Sequence, residues 1–198
     1  DHAVAVTSFP EKATEAGFEE NAIFEVPEGV GGRFSIWSHF GLGLVVSLGL
    51  ESYTQLLAGA YKMDKHFLEE ELEFNLPYIL GLTRIWNRNI LNLQSLAIVP
   101  YEIGLKYFPS WFQQVEMESN GKSFDALGNN LELPAAPLVF GEIGTESQHS
   151  FFQLLHQGIE KIPVECLVPF EGKNTFNENN KDLEPHSRLI VNAIAQAE

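Results

Sequence analysis

Gln114 and Glu118 stand four residues apart in the run Gln113-Gln114-Val115-Glu116-Met117-Glu118-Ser119-Asn120-Gly121-Lys122. If that run is helical, an amide and a carboxylate share one face near the helix end. The dipole disfavours an anion at a helix C-terminus and any partial burial would push the same way, which would suit Glu118 as a general base. The plainer reading of such a Glu is a solvated surface residue. His149 directly follows Thr145-Glu146-Ser147-Gln148, the pattern of a capping box. Near a helix N-terminus the imidazolium is disfavoured, so a neutral imidazole is available for proton transfer near neutral pH; a structural histidine is the alternative. A third group is Gly31-Gly32-Arg33. Two glycines let backbone approach a ligand and the guanidinium after them can face an oxyanion, although a tight turn with a surface Arg is the simpler reading.

Other chemistries find no support. His149 and His156 lie seven residues apart without an HExxH pattern or a Cys/His cluster, so no metal site is expected. Gly41-Leu42-Gly43 lacks the third glycine of a dinucleotide fingerprint. No nucleophile elbow, Cys–His pairing or P-loop is visible, and His39, His66 and His186 have no companion pattern.

Positioning these groups requires a scaffold, and the chain alternates strand-like and helix-like segments. Strands are expected at 3–7, 22–25, 96–100, 137–141 and 164–169, the first two and the last buried. Ser38 to Leu50 reads as a buried helix packed on a sheet, Glu51 to Glu70 as an amphipathic one, and Leu76 to Asn92 as a helix opened by Pro77. Tyr107 to Asn120 has Pro109 near its start and Gly121 just past its end, the asymmetry of helix caps. Thr145 to His156 and Pro185 to Glu198 are further helices, and Gly172 to Lys181 is a polar loop. Such alternation implies an α/β fold with a mainly parallel sheet covered by helices on both faces. A weak boundary falls near Asn92 to Ser95.

The 198 residues carry 12 Lys and Arg against 27 Asp and Glu, a formal charge of −15, which opposes attraction to nucleic acid. A hydrophobic share of 44% is enough for a real core. The single Cys, Cys166, cannot form an internal disulfide, so cytoplasm is the expected compartment. The longest apolar run, Phe40 to Leu50, is well short of the roughly 20 residues of a membrane span. The first residues lack both a basic region and an initiator Met, so the beginning reads as cut or processed.

Four ordered blocks resemble the glucose-6-phosphate isomerase family. They are Gly31-Gly32-Arg33-Phe34-Ser35; Met63-Asp64-Lys65-His66-Phe67; Pro100-Tyr101 through Phe112-Gln113-Gln114 to Met117-Glu118-Ser119-Asn120-Gly121-Lys122; and Gly141-Glu142 through Gly144-Thr145 and Gln148-His149 to His156-Gln157-Gly158. The chain differs from many members at Ala135-Ala136, Phe140, Ile143 and Glu146-Ser147, in the approach to His149. The resemblance covers nearly all of the chain but only the middle and later part of the family's length, without its phosphate-holding loops and a downstream helix with Lys and Gln of the site.

The resemblance implies a three-layer αβα fold of the sugar-isomerase (SIS) type, here incomplete. Residues 1–92 would be the end of a first sugar-isomerase domain with connecting helices, and 93–198 the beginning of a second. It implies interconversion of glucose 6-phosphate and fructose 6-phosphate through a cis-enediol, a step of glycolysis and gluconeogenesis, without a metal or redox cofactor. Glu118 matches the base that moves a proton between C1 and C2, and Gln114 a substrate-contacting amide. Arg33 matches the group that stabilises enediolate charge. His149 matches the His that opens the sugar ring, acting across a homodimer interface. The alternative is a non-catalytic sugar-phosphate-binding or interaction fragment sharing the fold. Either way, helix and sheet faces lacking their packing partners should leave apolar surface exposed.

Overall fold

Two short apolar runs near the start form β1 (Ala5–Thr7) and β2 (Ile23–Glu25), paired in parallel with Ala5 opposite Ile23. Between them α1 (Pro10–Glu15) carries Pro10 in its first turn, where a missing N–H costs nothing. The structure, a computed structural model, describes residues 3–169 and 185–197. It divides into two compact units, Asp1–Gly81 and Leu82–Glu198. The expected loop from Gly172 to Lys181 lies outside the described residues.

In the first unit two 3₁₀ turns, Gly32–Trp37 and His39–Gly41, lead into α2 (Leu42–Leu48), followed after Gly49 by α3 (Leu50–Glu69). The expectation of a buried helix over Ser38–Leu50 is corrected: Val46, Leu48 and Leu50 are exposed. So is that of buried first strands, since β1 and β2 are at most half-buried. The reason is area: a sheet of two three-residue strands covers very little, and Ala13 and Val26 are the buried hydrophobic residues of this unit among those described. His66 fixes the end of α3, its Nε2 accepting the Leu76 N–H at 3.0 Å. Asn75 caps α4 (Leu76–Ile85), accepting from the Tyr78 N–H at 3.1 Å while donating to the Phe67 carbonyl at 2.8 Å.

Helix α4 continues as a π-turn, Trp86–Ile90, in which the Leu91 N–H reaches back to the Trp86 carbonyl. From it Arg88 donates to the Ala136 carbonyl at 3.1 Å and Asn89 to that of Pro134 at 2.8 Å, tying down the segment before the next edge strand. The second unit is built on β3 (Ser95–Pro100), flanked in parallel by β4 (Leu138–Gly141) and β5 (Val164–Leu167) in the order β4-β3-β5. Its alternation sorts two cores. Leu96 and Ile98 pack with Val139 against Phe112 and Met117 of the helix at 108–120, whose first part is α5 (Phe108–Gln113). Ala97, Val99 and Tyr101 pack on the other face against Phe152 of α7 (Phe152–Gln157) and Ala193 of α8 (Pro185–Ala197). The unit is therefore an α/β sandwich with helices on both faces of a parallel sheet. Strand β5, expected to be buried, alternates between exposed and half-buried residues because it is an edge. Apolar side chains are widely exposed, Ile159 to 99% and Leu127 to 87%. No described helix is long and apolar enough to cross a membrane.

Candidate active site

Parallel sheets offer ligands the carboxyl ends of their strands, and both conspicuous segments of the second unit leave from there. Beyond β3 the chain passes Tyr101 and a 3₁₀ turn, Ile103–Leu105, where the Glu102 side chain accepts the Gly104 N–H at 3.2 Å. It then enters the helix that begins with α5 and ends at Asn120. Between Gln114 and Glu118 this helix is a π-turn, and the two candidate residues are its first and last members. Single π-turns set into α-helices recur at functional sites.

The sides of this turn differ. Gln113 donates to the Val139 carbonyl at 3.1 Å, and the Val139 N–H approaches the Met117 sulfur at 3.3 Å, so the outer groups of an edge strand are satisfied by the helix. Glu116 is buried at 9% exposure and accepts from Asn120 at 3.3 Å. Gln114 and Glu118 are exposed. Glu118 is thus solvent-exposed, as the plainer reading had it, and the buried carboxylate of the turn is its neighbour, Glu116. Lys122 donates to the Glu118 backbone carbonyl and places a cation at the helix end, where the dipole favours one.

Beyond β4 the chain turns at Ile143, which is buried, into the four-residue helix α6 (Gly144–Ser147). Here the capping-box expectation is corrected. Thr145 lies inside the helix, Ile143 is the capping position with no side-chain cap, and Gln148 instead donates to Asn192 of α8 at 2.6 Å. The expected single helix Thr145–His156 is broken by a turn at 148–151, with α7 following. Ser147 organises the break: its hydroxyl donates to the Gly144 carbonyl at 2.9 Å and its own carbonyl accepts from the Ser150 and Phe151 N–H groups, both at 3.1 Å. His149 is exposed on this turn, its N–H donating to Glu146 at 3.0 Å, and so does not occupy a capped helix start. His156 contacts Gln196 at 2.9 Å and the Phe152 ring, a structural role.

Tyr101 lies beneath this turn, 1% exposed, and Gly144 leaves room for its ring: a Cβ at 144 would fall 2.4 Å from Cζ. Burial pushes the Tyr101 phenol above its ordinary value, so it stays neutral. In the first unit Arg33 is half-buried in the 3₁₀ turn, next to Gly32 at φ 51°. That left-handed backbone is the physical demand behind the second glycine. Gln114 and Glu118 are thus brought together on one turn, His149 lies on another segment of the same unit, and Arg33 belongs to the other unit. Among the described residues, no group of His, Cys, Asp and Glu is placed to hold a metal ion. Sequence reasoning missed Glu116 and Asn75, whose partners are visible only in three dimensions.

The sequence profile described as Phosphoglucose isomerase matches residues 1–198. A glucose-6-phosphate isomerase of Chlorobium luteolum is 43% identical over 197 residues, covering 100% of this chain and 35% of that protein. One from Acinetobacter baylyi is 41% identical over 201 residues, covering 99% and 36%. The chain therefore spans about a third of the length of the curated relatives it matches. The crystal structure of a glucose-6-phosphate isomerase from Chlamydia trachomatis superposes with a TM-score of 0.81 at 32% identity, over 96% of this chain and 41% of that one. A hypothetical protein of Thermus thermophilus superposes with a TM-score of 0.74 at 27% identity, over 98% and 48%.

Proposed function

The chain belongs to the phosphoglucose isomerase family, and from that premise we propose that the full-length protein containing it interconverts glucose 6-phosphate and fructose 6-phosphate through a cis-enediol. The observation that carries this reading is the π-turn that begins at Gln114 and ends at Glu118, both exposed, on a helix leaving the carboxyl end of β3. A base for a carbon acid must be open to substrate yet fixed in direction, and this helix is fixed by its other side.

In the forward direction the Glu118 carboxylate takes the proton from C2 of the open-chain aldose and returns it to C1, while a proton passes from the O2 hydroxyl to O1 through the cis-enediol, giving the ketose. The Arg33 guanidinium stabilises the charge that develops on the enediolate oxygen, and Gln114 orients the substrate. Ring opening needs a separate group, which moves a proton from the O1 hydroxyl and delivers one to O5; we assign it to His149, acting on the site of a partner subunit in a homodimer. No step calls for a metal or redox cofactor. Residues 1–92 are then the end of one sugar-isomerase domain and 93–198 the start of the next, and the enzyme works in the cytoplasm.

In the full-length protein Glu118→Gln keeps the side-chain shape and removes the base. Turnover, coupled to glucose-6-phosphate dehydrogenase, should fall by about 10²–10⁴-fold while a non-isomerisable sugar phosphate still binds. Retained turnover overturns the assignment. The share of the relatives' length covered favours a second reading for the 198 residues alone, a non-catalytic sugar-phosphate-binding or interaction fragment. Calorimetry without turnover distinguishes that case.

A further inference from the structure

One guanidinium stands between two carboxylates at the seam where the Glu118 helix meets the sheet. Arg84, in the last turn of α4, grips Glu165 of β5 with two hydrogen bonds, Nε to Oε1 at 2.8 Å and Nη2 to Oε2 at 2.6 Å. Its remaining nitrogen, Nη1, lies 4.0 Å from Glu116 Oε2, and the guanidinium sits 4.8 Å from the centre of the Phe112 ring. The Glu116 side chain is 12% exposed, and its other oxygen is held by Asn120. The bidentate grip, more than burial can oppose, pushes the Arg84 acidity still further from neutrality, so the cation is permanent.

Glu116 is the middle residue of the π-turn and points inward, while Gln114 and Glu118, two residues to either side, are exposed. A carboxylate buried against a sheet is costly unless a cation meets it. Arg84 meets it, and also neutralises Glu165, so removing that cation leaves both carboxylates without the counter-charge they share. The turn can relieve this by rotating Glu116 outward about the helix axis, and a rotation of the backbone turn carries Glu118 with it. Buried ionic groups that fix register rather than add stability have this form.

We infer that Arg84 is a positioning residue, which fixes the rotation of the π-turn through Glu116 and Glu165 and so the direction in which Glu118 presents its carboxylate. This rests on the isomerase reading above. In the full-length protein, Arg84→Met and, separately, Glu116→Gln are compared with the parent for kcat, KM, melting and circular dichroism. Both should lower kcat about tenfold or more with KM for fructose 6-phosphate changed less than about twofold, the pattern of a displaced base and not of a lost binding group. If Arg84→Met fails to fold, Glu116→Gln, which preserves shape and the Asn120 contact, decides alone. A folded variant with kcat within about twofold of the parent, or a loss confined to KM or to the amount of folded protein, overturns the inference. Glu118→Gln is measured beside them: a full-length parent without turnover sinks the isomerase reading itself, an active Glu118→Gln sinks Glu118 as the base, and an inert Glu118→Gln beside Arg84 and Glu116 variants that work normally sinks only the positioning role.

Discussion

Gly144→Ala is a single methyl group placed where the structure has no room for it. The new Cβ would lie 2.4, 2.5 and 2.7 Å from Cζ, Cε1 and Cδ1 of Tyr101, against an ordinary carbon–carbon contact of about 3.5 Å. Something must therefore move by about 1 Å. Tyr101 cannot move easily: it is 1% exposed and enclosed by Ala97, Val99, Phe152 and Ala193. The displacement falls on α6, only four residues long, and on the turn beyond it that carries His149. Overpacking of this kind costs about 1–3 kcal/mol. With a urea dependence of about 2 kcal/mol/M, the unfolding midpoint should drop by about 1 M. A misplacement of about 1 Å in a reacting group lowers turnover by up to about 10²-fold, so, on the proposed role of His149, kcat of the full-length protein on the cyclic sugar phosphate should fall far more than the loss of stability explains. Tyr101→Val in the same chain removes the obstructing ring and should return part of the lost turnover, which a generally damaged fold would not do. An unchanged midpoint with unchanged kcat, or a double variant no better than Gly144→Ala, refutes the claim that this close approach sets the turn.

Two further outcomes probe other levels of the structure. Ile98 is 1% exposed at the centre of the face packed on Phe112, so Ile98→Ala should cost about 2–5 kcal/mol in chemical denaturation, and a loss under about 1 kcal/mol would mean the face is not a packed core. Asp125 accepts from the Asn129 side chain at 3.0 Å and from the Leu127 and Asn129 N–H groups at 2.8 Å, first the Asn129 side chain and then these N–H groups holding its carboxyl below the ordinary value of 3.8. Because the folded group is the stronger acid, its contribution to the turn is complete above the unfolded value and is lost as pH falls through the folded one. The amide proton resonances of Leu127 and Asn129 should shift together on acidification, below the range where a free Asp titrates, and Asp125→Ala should abolish that shift.

What could be read from the sequence was whatever local pattern decides. The apolar run Leu96 to Pro100 forms β3, and the helix ended by Gly121 runs to Asn120, because strand burial and helix stops are written in neighbouring residues. The π-turn was not readable: one extra residue in a helical turn has no propensity of its own and here coincides with contacts to β4. Thr145 and Gln148 matched a capping box by spacing, but Gln148 is claimed by Asn192, a partner 44 residues away, and the helix starts two residues earlier than the motif requires. Ser38 to Leu50 failed for the opposite reason. Its apolar content signals burial, but the described unit supplies only a small sheet on which to bury it.

The two proton-transfer candidates of the second unit hang on supports of different kinds, and this bears on how the chemistry could be divided. Glu118 is carried by a helix whose inner side is engaged along its length, by Phe112 in the core, Gln113 and Met117 on β4, and Glu116 at the Arg84 seam. Each of those contacts constrains rotation about the helix axis, the backbone motion that would redirect the Glu118 side chain. His149 sits on a turn fixed by the backbone around Ser147, by the Tyr101 ring beneath Gly144, and by one side-chain bond to α8. Proton transfer between C1 and C2 demands near-attack geometry, where small displacements are costly, whereas ring opening demands a group that reaches two oxygens in succession. On the proposed assignment, the support with more side-chain contacts would lie under the step that tolerates less displacement, and the turn held mainly by its backbone under the step that must serve both O1 and O5.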